Sequence, residues 1–386
     1  MNTNIFNEPF NKDFFLNNFG KKYLYKKDII RNHSKIMSLD ILNEILSIRT
    51  NWNNKNFIMM LDRKPINYSE YSSLFLETAG KFLRPDVDKV QNWISRGSSI
   101  VLNEIDSMNT GLMSVANELQ SLTGGRCQGN LYFSMQSHQA FGPHCDEHDV
   151  FAIHFEGEKI WNIYENIELN PINHPNFKYS PEERIKKAGK LIDQVTLRPG
   201  DLLYLPRGQY HDALASMSGA IHVAFGLTYL KPIDIISVLW DKLINSDYMR
   251  QDIDRKSTKQ DLKNHLKTIA LELEKVICTD ENTEIFFNNI EKWPYKFKDY
   301  SLNNIISEGR KYKVSKLVKI EKNGEQAFLT NGNNKVLIPK EYLEVTNFIL
   351  KQDFVTDHLI NSNFKHLSKT IIIDCLKKLN DMKVIS

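Results

Sequence analysis

The chain has 386 residues, 41% hydrophobic and 25% charged, with a net charge of +3. These proportions exclude a disordered, collagenous or coiled-coil polypeptide, and the length exceeds what one hydrophobic core usually organises, so two or three units are expected. So small a net charge argues for neither a nucleic-acid nor a membrane partner, and no apolar run approaches the roughly 18 residues of a membrane span.

The opening MNTNIFNEPFNKDFF carries charges and asparagines where a signal peptide needs a continuous apolar stretch, which reads as a cytoplasmic protein. Cys127, Cys145, Cys278 and Cys375 are widely spaced, with no C-x-x-C pair, so neither a disulfide framework nor a cysteine metal site is expected. Residues 1–90 mix helical stretches such as LDILNEIL with a few short strands. From about 90 to 230 the pattern changes to SSIVLNEI, GNLYFSMQ, DVFAIHFEG, KIWNIYEN, DQVTLRPG, DLLYLPRG and GAIHVAFGLTYL, short apolar or alternating runs between turn signals. That succession predicts an all-β barrel or sandwich. SMNTGLMSVANELQSLTGG interrupts it as an inserted helix, capped by Asn109 or Thr110 and stopped by Gly124-Gly125.

KPIDIISVLWDKLINS and KQDLKNHLKTIALELEKVI then show apolar residues at three and four spacing, as amphipathic helices that pack on the barrel or on a second copy of the chain. The last part, VSKLVKIEKNGEQAFLTNGNNKVLIP followed by EYLEVTNFILK, FVTDHLIN and SKTIIIDCLKKLNDMKVI, reads as a hairpin and three helices, the pattern of a small winged-helix domain. Residues 1–230 hold 24 Lys+Arg against 25 Asp+Glu, whereas 231–386 hold 26 against 22. Residues 310–386 carry 14 against 8 but no recognition-helix cluster of arginines, so this part is read as a protein-interaction or structural domain rather than a DNA reader.

The chemistry concentrates in FGPHCDEHDVFAIHF, residues 141–155. On a strand, positions two apart share a face, so His144 and Asp146 reach one point while Cys145 faces away. His148 has the same parity, and geometry alone leaves an H-x-D-x-H site open. Downstream, in LRPGDLLYLPRGQYHDA, Pro199-Gly200-Asp201 and Pro206-Arg207-Gly208 form turns around a buried strand and deliver His211 to the next one. His144, Asp146 and His211 then make a two-histidine, one-carboxylate facial triad, the donor set that suits non-haem Fe(II) and leaves coordination positions open.

The run from GNLYFSMQSHQAFGPHCDEHDVFAIHFEGEKIWNIY to PGDLLYLPRGQYHDA resembles the JmjC domain of the cupin superfamily, particularly its ribosomal-oxygenase branch of arginine and histidine hydroxylases. H-x-D, G-x-K-x-W and PGD-x-x-x-x-P-x-G-x-x-H occur in order and in register, clearly over about 95–230 and more loosely over the helices and tail. The resemblance implies an α+β chain. A double-stranded β-helix catalytic domain would occupy 1–230, a helical dimerisation region 231–300 and a winged-helix-like domain 301–386. It implies Fe(II) on His144, Asp146 and His211 rather than His148. It places 2-oxoglutarate against Lys159, with Asn130 and Tyr132 lining the cosubstrate pocket. His154 and His222 are expected as buried, hydrogen-bonded histidines, with contact to cosubstrate or substrate as the alternative for either; Trp161 is expected as core, and Cys145 as an altered pocket residue beside the metal. The implied activity is hydroxylation of an arginine or histidine side chain in a protein, a ribosomal protein foremost. A tailoring hydroxylase of a small peptide or amino-acid-like metabolite uses the same residues, and a non-catalytic metal-binding cupin module is the third reading, disfavoured by the intact ligand set and Lys159.

Overall fold

The computed structural model describes residues 5–6, 10, 12–135, 138–216, 219–292, 309–315, 318–324, 326–331 and 334–386. The chain divides into two compact units, Met1–Phe297 and Lys298–Ser386. The expected boundary at 300–301 lies outside the described residues.

The first unit contains β1 (Leu24–Lys26), β2 (Phe57–Leu61), β3 (Lys64–Pro65), a separate hairpin of β4 (Ser72–Glu77) and β5 (Gly80–Pro85), and β6 (Ser99–Leu102). The sandwich strands follow as β7 (Arg126–Ser134), β8 (Asp149–Glu156), β9 (Lys159–Ile167), β10 (Leu191–Leu197), β11 (Leu202–Leu205), β12 (Gln209–Ala215) and β13 (Ala220–Thr228). An eight-stranded sheet runs β1-β11-β8-β13-β7-β6-β2-β3, and a three-stranded sheet runs β10-β9-β12, with every pairing antiparallel. The N-terminal 90 residues supply both edges of the larger sheet, which covers strands that would otherwise expose unpaired backbone.

The near-continuous apolar run of β8 is explained by burial on both faces. Phe151, Ile153 and Phe155 enter a large aromatic-rich core, while Val150 and Ala152 face the smaller sheet in a second core with Trp161, Ile163, Leu203 and Leu205. The inserted helix spans Thr110–Thr123: the Asn109 side chain accepts the Leu112 amide at 2.8 Å, and Gly124 ends it with φ 72°. Its Leu112, Val115, Ala116 and Leu119 fill one face into the large core.

Helices Pro232–Leu243, Lys259–Ile277 and Asp280–Lys292 follow the sandwich. In the second unit, strand Lys311–Lys313 pairs with Phe354–Thr356, and Lys319–Asn323, Gln326–Asn331 and Asn334–Ile338 form a three-stranded meander. Helices Leu343–Leu350, Asp357–Asn363 and Lys369–Asp381 close a core of their own around Val345, Ile349, Ile360 and Leu379. The expectation of a helix over FVTDHLIN needs one correction: Phe-Val-Thr pairs as a strand, and Thr356 then caps the helix through the Leu359 amide. Among the described residues no helix is long and apolar enough to cross a membrane.

Candidate metal centre and cosubstrate cavity

His144 lies in an isolated antiparallel bridge with His211 of β12, its amide donating to the His211 carbonyl at 3.0 Å and the His211 amide returning the bond at 2.8 Å. Two turns make this meeting possible. Gly208 has φ 86° and sits so close to the Glu168 carbonyl that a Cβ would come within 2.0 Å of it, so only glycine fits. Its amide donates to the Asp146 carbonyl at 3.0 Å, and the adjacent register shift between Gln209 and His211 turns the His211 side chain inward.

One donor atom from each of His144, Asp146 and His211 lies within 4.8 Å of the others. His144 Nε2 is 3.9 Å from Asp146 Oδ1, and His211 Nε2 is 3.6 Å from Asp146 Oδ2. Each imidazole donates from Nδ1 to a backbone carbonyl, His144 to Gly142 and His211 to Gln209, both at 2.9 Å. That fixes the tautomer with a bare Nε2 lone pair aimed at the carboxylate, as a metal-ligating histidine requires. Burial, with His144 beside it, pulls the His211 imidazole down to about 4, so the ring is neutral near pH 7 and its Nε2 is free to act as a donor to a metal. The donor set fits a divalent first-row metal on three protein ligands.

Beside the triad, between the two sheets, lies a cavity of about 190 Å³. Lys159 is buried at its inner end, where Nζ donates to Ser134 Oγ at 2.8 Å and lies 3.0 Å from His222 Nδ1. Burial lowers this ammonium to about 7, and among the described residues no carboxylate pairs with it. His222 stacks on Tyr132, with ring centroids 4.7 Å apart and planes 7° from parallel. Trp161 stacks on His211 and meets His222 edge-on. A second basin, about 390 Å³, shares Phe141, His144 and Asp146 with the first, whereas His211 lines the first alone. Cys145, Glu147, His148, Tyr179 and Tyr210 face this second basin.

Not every expected residue meets the cavity. Asn130 is turned to the far part of β7, where its side-chain oxygen accepts the Glu104 amide at 3.1 Å, and it is absent from the lining. His148 packs over Gly226 and stays outside the donor cluster. His154 is fully buried, and neither ring nitrogen has a well-formed hydrogen bond, although backbone groups of Glu156 and Gly157 lie near. Burial and then the Lys159 charge push it down to about 3. Sequence reasoning missed Ser134, although it continues the inward parity of Tyr132 in GNLYFS; His222 is buried and hydrogen-bonded as expected, and it also lines the cavity.

A two-sheet antiparallel sandwich that brings a His-x-Asp and a distant histidine together is a cupin-type fold with a candidate metal site. Residues 105–234 match the family model of the JmjC domain, and this segment is a JmjC domain. The chain is similar to the bifunctional lysine-specific demethylase and histidyl-hydroxylase NO66 of Dictyostelium discoideum, 29% identical over 57% of this chain and 41% of that protein. It is 32% identical to human ribosomal oxygenase 1 over 30% of this chain and 18% of that one. The chain thus spans less than half the length of these relatives. Its fold matches that of YcfD, a ribosomal oxygenase from Escherichia coli solved with cobalt and 2-oxoglutarate, with a TM-score of 0.55, 14% identity and coverage of 99% of this chain and 98% of that one.

Proposed function

We propose that this protein is an Fe(II)- and 2-oxoglutarate-dependent dioxygenase that hydroxylates an arginine or histidine side chain of a ribosomal protein. The observation that carries this reading is a buried lysine, with no acidic partner among the described residues, in a cavity that His144, Asp146 and His211 also line. A buried cation without a counter-ion is costly, and an anionic ligand resolves it. Bound together, iron and 2-oxoglutarate supply the oxidation of an unactivated C–H bond, with decarboxylation of the cosubstrate to succinate.

The chain's own residues supply position. His144, Asp146 and His211 hold the metal, and Lys159 and Ser134 bind the distal carboxylate of the cosubstrate. Tyr132 and Trp161 close the walls against water. The second basin, sharing only His144, Asp146 and Phe141 with the first, takes the substrate side chain, so the two reactants reach the metal from different basins. The names of the relatives support a protein substrate. Exposed apolar residues on the helices after the sandwich, Ile233, Ile236, Trp240, Leu262 and Leu266, support a dimerisation region, and the meander with three helices supports a winged-helix tail used for protein contact. Four free cysteines fit a reducing, cytoplasmic compartment.

The test is anaerobic reconstitution with Fe(II) and 2-oxoglutarate, followed by exposure to oxygen with ribosomes or candidate peptides. Succinate and the mass of one added oxygen atom on a ribosomal protein are expected. Asp146→Ala should lower turnover by at least about a hundredfold and release the metal. Wild-type succinate no greater than that of a His144→Ala, Asp146→Ala double variant under every condition sinks the enzyme reading; oxidation of peptides but never of ribosomes moves the substrate to a small peptide.

A further inference from the structure

The inner end of the cavity holds more donors than a lysine alone. An ammonium carries three N–H groups, and two of those on Lys159 are engaged, one by Ser134 Oγ at 2.8 Å and one by His222 Nδ1 at 3.0 Å. One N–H is left for a ligand. Ser134, whose oxygen accepts from Lys159, keeps its own O–H to give. His222 is held in place by its stack on Tyr132 and by the edge of Trp161, and its ring lines the cavity. Because Nδ1 accepts from the ammonium, the single proton of the neutral ring must sit on Nε2. The burial that pushes His222 well below its ordinary range keeps the ring neutral.

We infer that His222 is a cosubstrate-positioning residue. Lys159 fixes its tautomer, so that Nε2–H donates to the carboxylate that Lys159 and Ser134 also bind. The inference rests on the reading of this cavity as the 2-oxoglutarate site. The seat then presents three converging donors with one positive charge, which matches a single carboxylate and discriminates against an uncharged or doubly charged group. His222 contributes direction without adding charge, whereas a second lysine there would repel the first.

Two measurements test this. In metal-free protein with ¹⁵N-labelled histidine at about pH 6, where Lys159 is charged, the ring nitrogens of His222 should report an Nε2–H tautomer; an Nδ1–H tautomer overturns the inference. Titration calorimetry of 2-oxoglutarate into Mn(II)-loaded protein then separates the two ring nitrogens. His222→Gln places an amide N–H near the Nε2 position and should keep affinity within about threefold. His222→Asn reaches only the Nδ1 position and should lose about tenfold, as should His222→Phe, which preserves the stack on Tyr132 but offers no donor. Thermal melting of each variant checks that it is folded. Asn or Phe binding as tightly as wild type, or Gln losing as much as Asn, overturns the role. Lys159→Ala distinguishes the two levels. If it binds 2-oxoglutarate like wild type, the cosubstrate reading itself fails; if it loses binding while the Asn and Phe variants do not, only the assignment of His222 falls.

Discussion

Two buried polar clusters in the same sandwich behave in opposite ways. Around β11, Asp201 accepts the Asp28 amide at 2.9 Å, the Arg198 amide at 3.0 Å and the Tyr25 hydroxyl at 2.8 Å. Nearby, Asp149 accepts the Tyr204 hydroxyl at 2.6 Å and the Arg207 amide at 3.3 Å. These carboxylates are satisfied by the chain itself, and they fasten the PGD turn and the start of β8. Among the described residues, the cluster of Lys159, Ser134, His222 and His154 holds three basic side chains, none of them hydrogen-bonded to a carboxylate. A buried polar group with its partners built in is architecture, whereas one left short of partners is a request for a ligand.

The sharpest way to break that contrast is Lys159→Met. If the lysine is held for a ligand, its removal should weaken 2-oxoglutarate binding by about a hundredfold or more and yet stabilise the ligand-free protein by about 1–4 kcal/mol, because an uncompensated buried cation is gone. Thermal unfolding with and without the cosubstrate, beside calorimetry, reads both effects. A destabilised Lys159→Met would mean that Lys159 is as structural as Asp201. The complementary change, Asp201→Ala, leaves three donors without their acceptor and should cost about 2–4 kcal/mol in chemical denaturation. Its effect on 2-oxoglutarate affinity should stay within about twofold, and a larger loss would erase the distinction between the clusters.

Legibility in the sequence followed the same division. The parity of a strand pairs His144 with Asp146 in the sequence, whereas the structure gives His144 only an isolated bridge and leaves 145–148 in loop and bend before β8; the turns before His211 name their own geometry through Pro and Gly. Lys159 and Tyr132 came through resemblance, and their inward phase agrees with the alternation of β9 and β7. Asn130 shares the parity of Tyr132, but parity gives a face and not a depth along the strand, and Asn130 stands beside Glu104 instead. Ser134 was hidden, and so was the partner of His222, because the contact with Lys159 joins β7, β9 and β13, which no local pattern encodes. Asp201 read only as a turn residue; its tie to Tyr25 spans the chain from the first strand to the eleventh. The Phe-Val-Thr strand of the second unit was absorbed into a helix because three residues are too few to establish a period.

The smallest effect concerns pH, and its two halves have opposite signs. Burial lowers Lys159 to about 7 in the empty protein, far below the ordinary lysine value near 10.4 of the unfolded chain. Between those values the folded state binds fewer protons than the unfolded one, so Lys159 makes stability rise with pH across the window, by at most about 1.4 kcal/mol per pH unit; below about 7 its destabilising effect is fully present and constant. Cosubstrate binding runs the other way. A carboxylate in the seat favours the ammonium, so affinity should be flat below about pH 7 and fall above it by up to about tenfold per pH unit, with uptake of a proton. The groups facing Lys159 do not blur this, since burial drives His154 and His222 down and the Tyr132 hydroxyl up, and all three stay neutral through the window. Calorimetry of 2-oxoglutarate in buffers of different ionisation enthalpy counts the proton, and the difference in melting temperature between wild type and Lys159→Met from pH 7 to pH 9 isolates the stability slope. Affinity independent of pH over that range, with no proton taken up, would mean that Lys159 is already fully charged in the empty cavity and has a counter-ion after all.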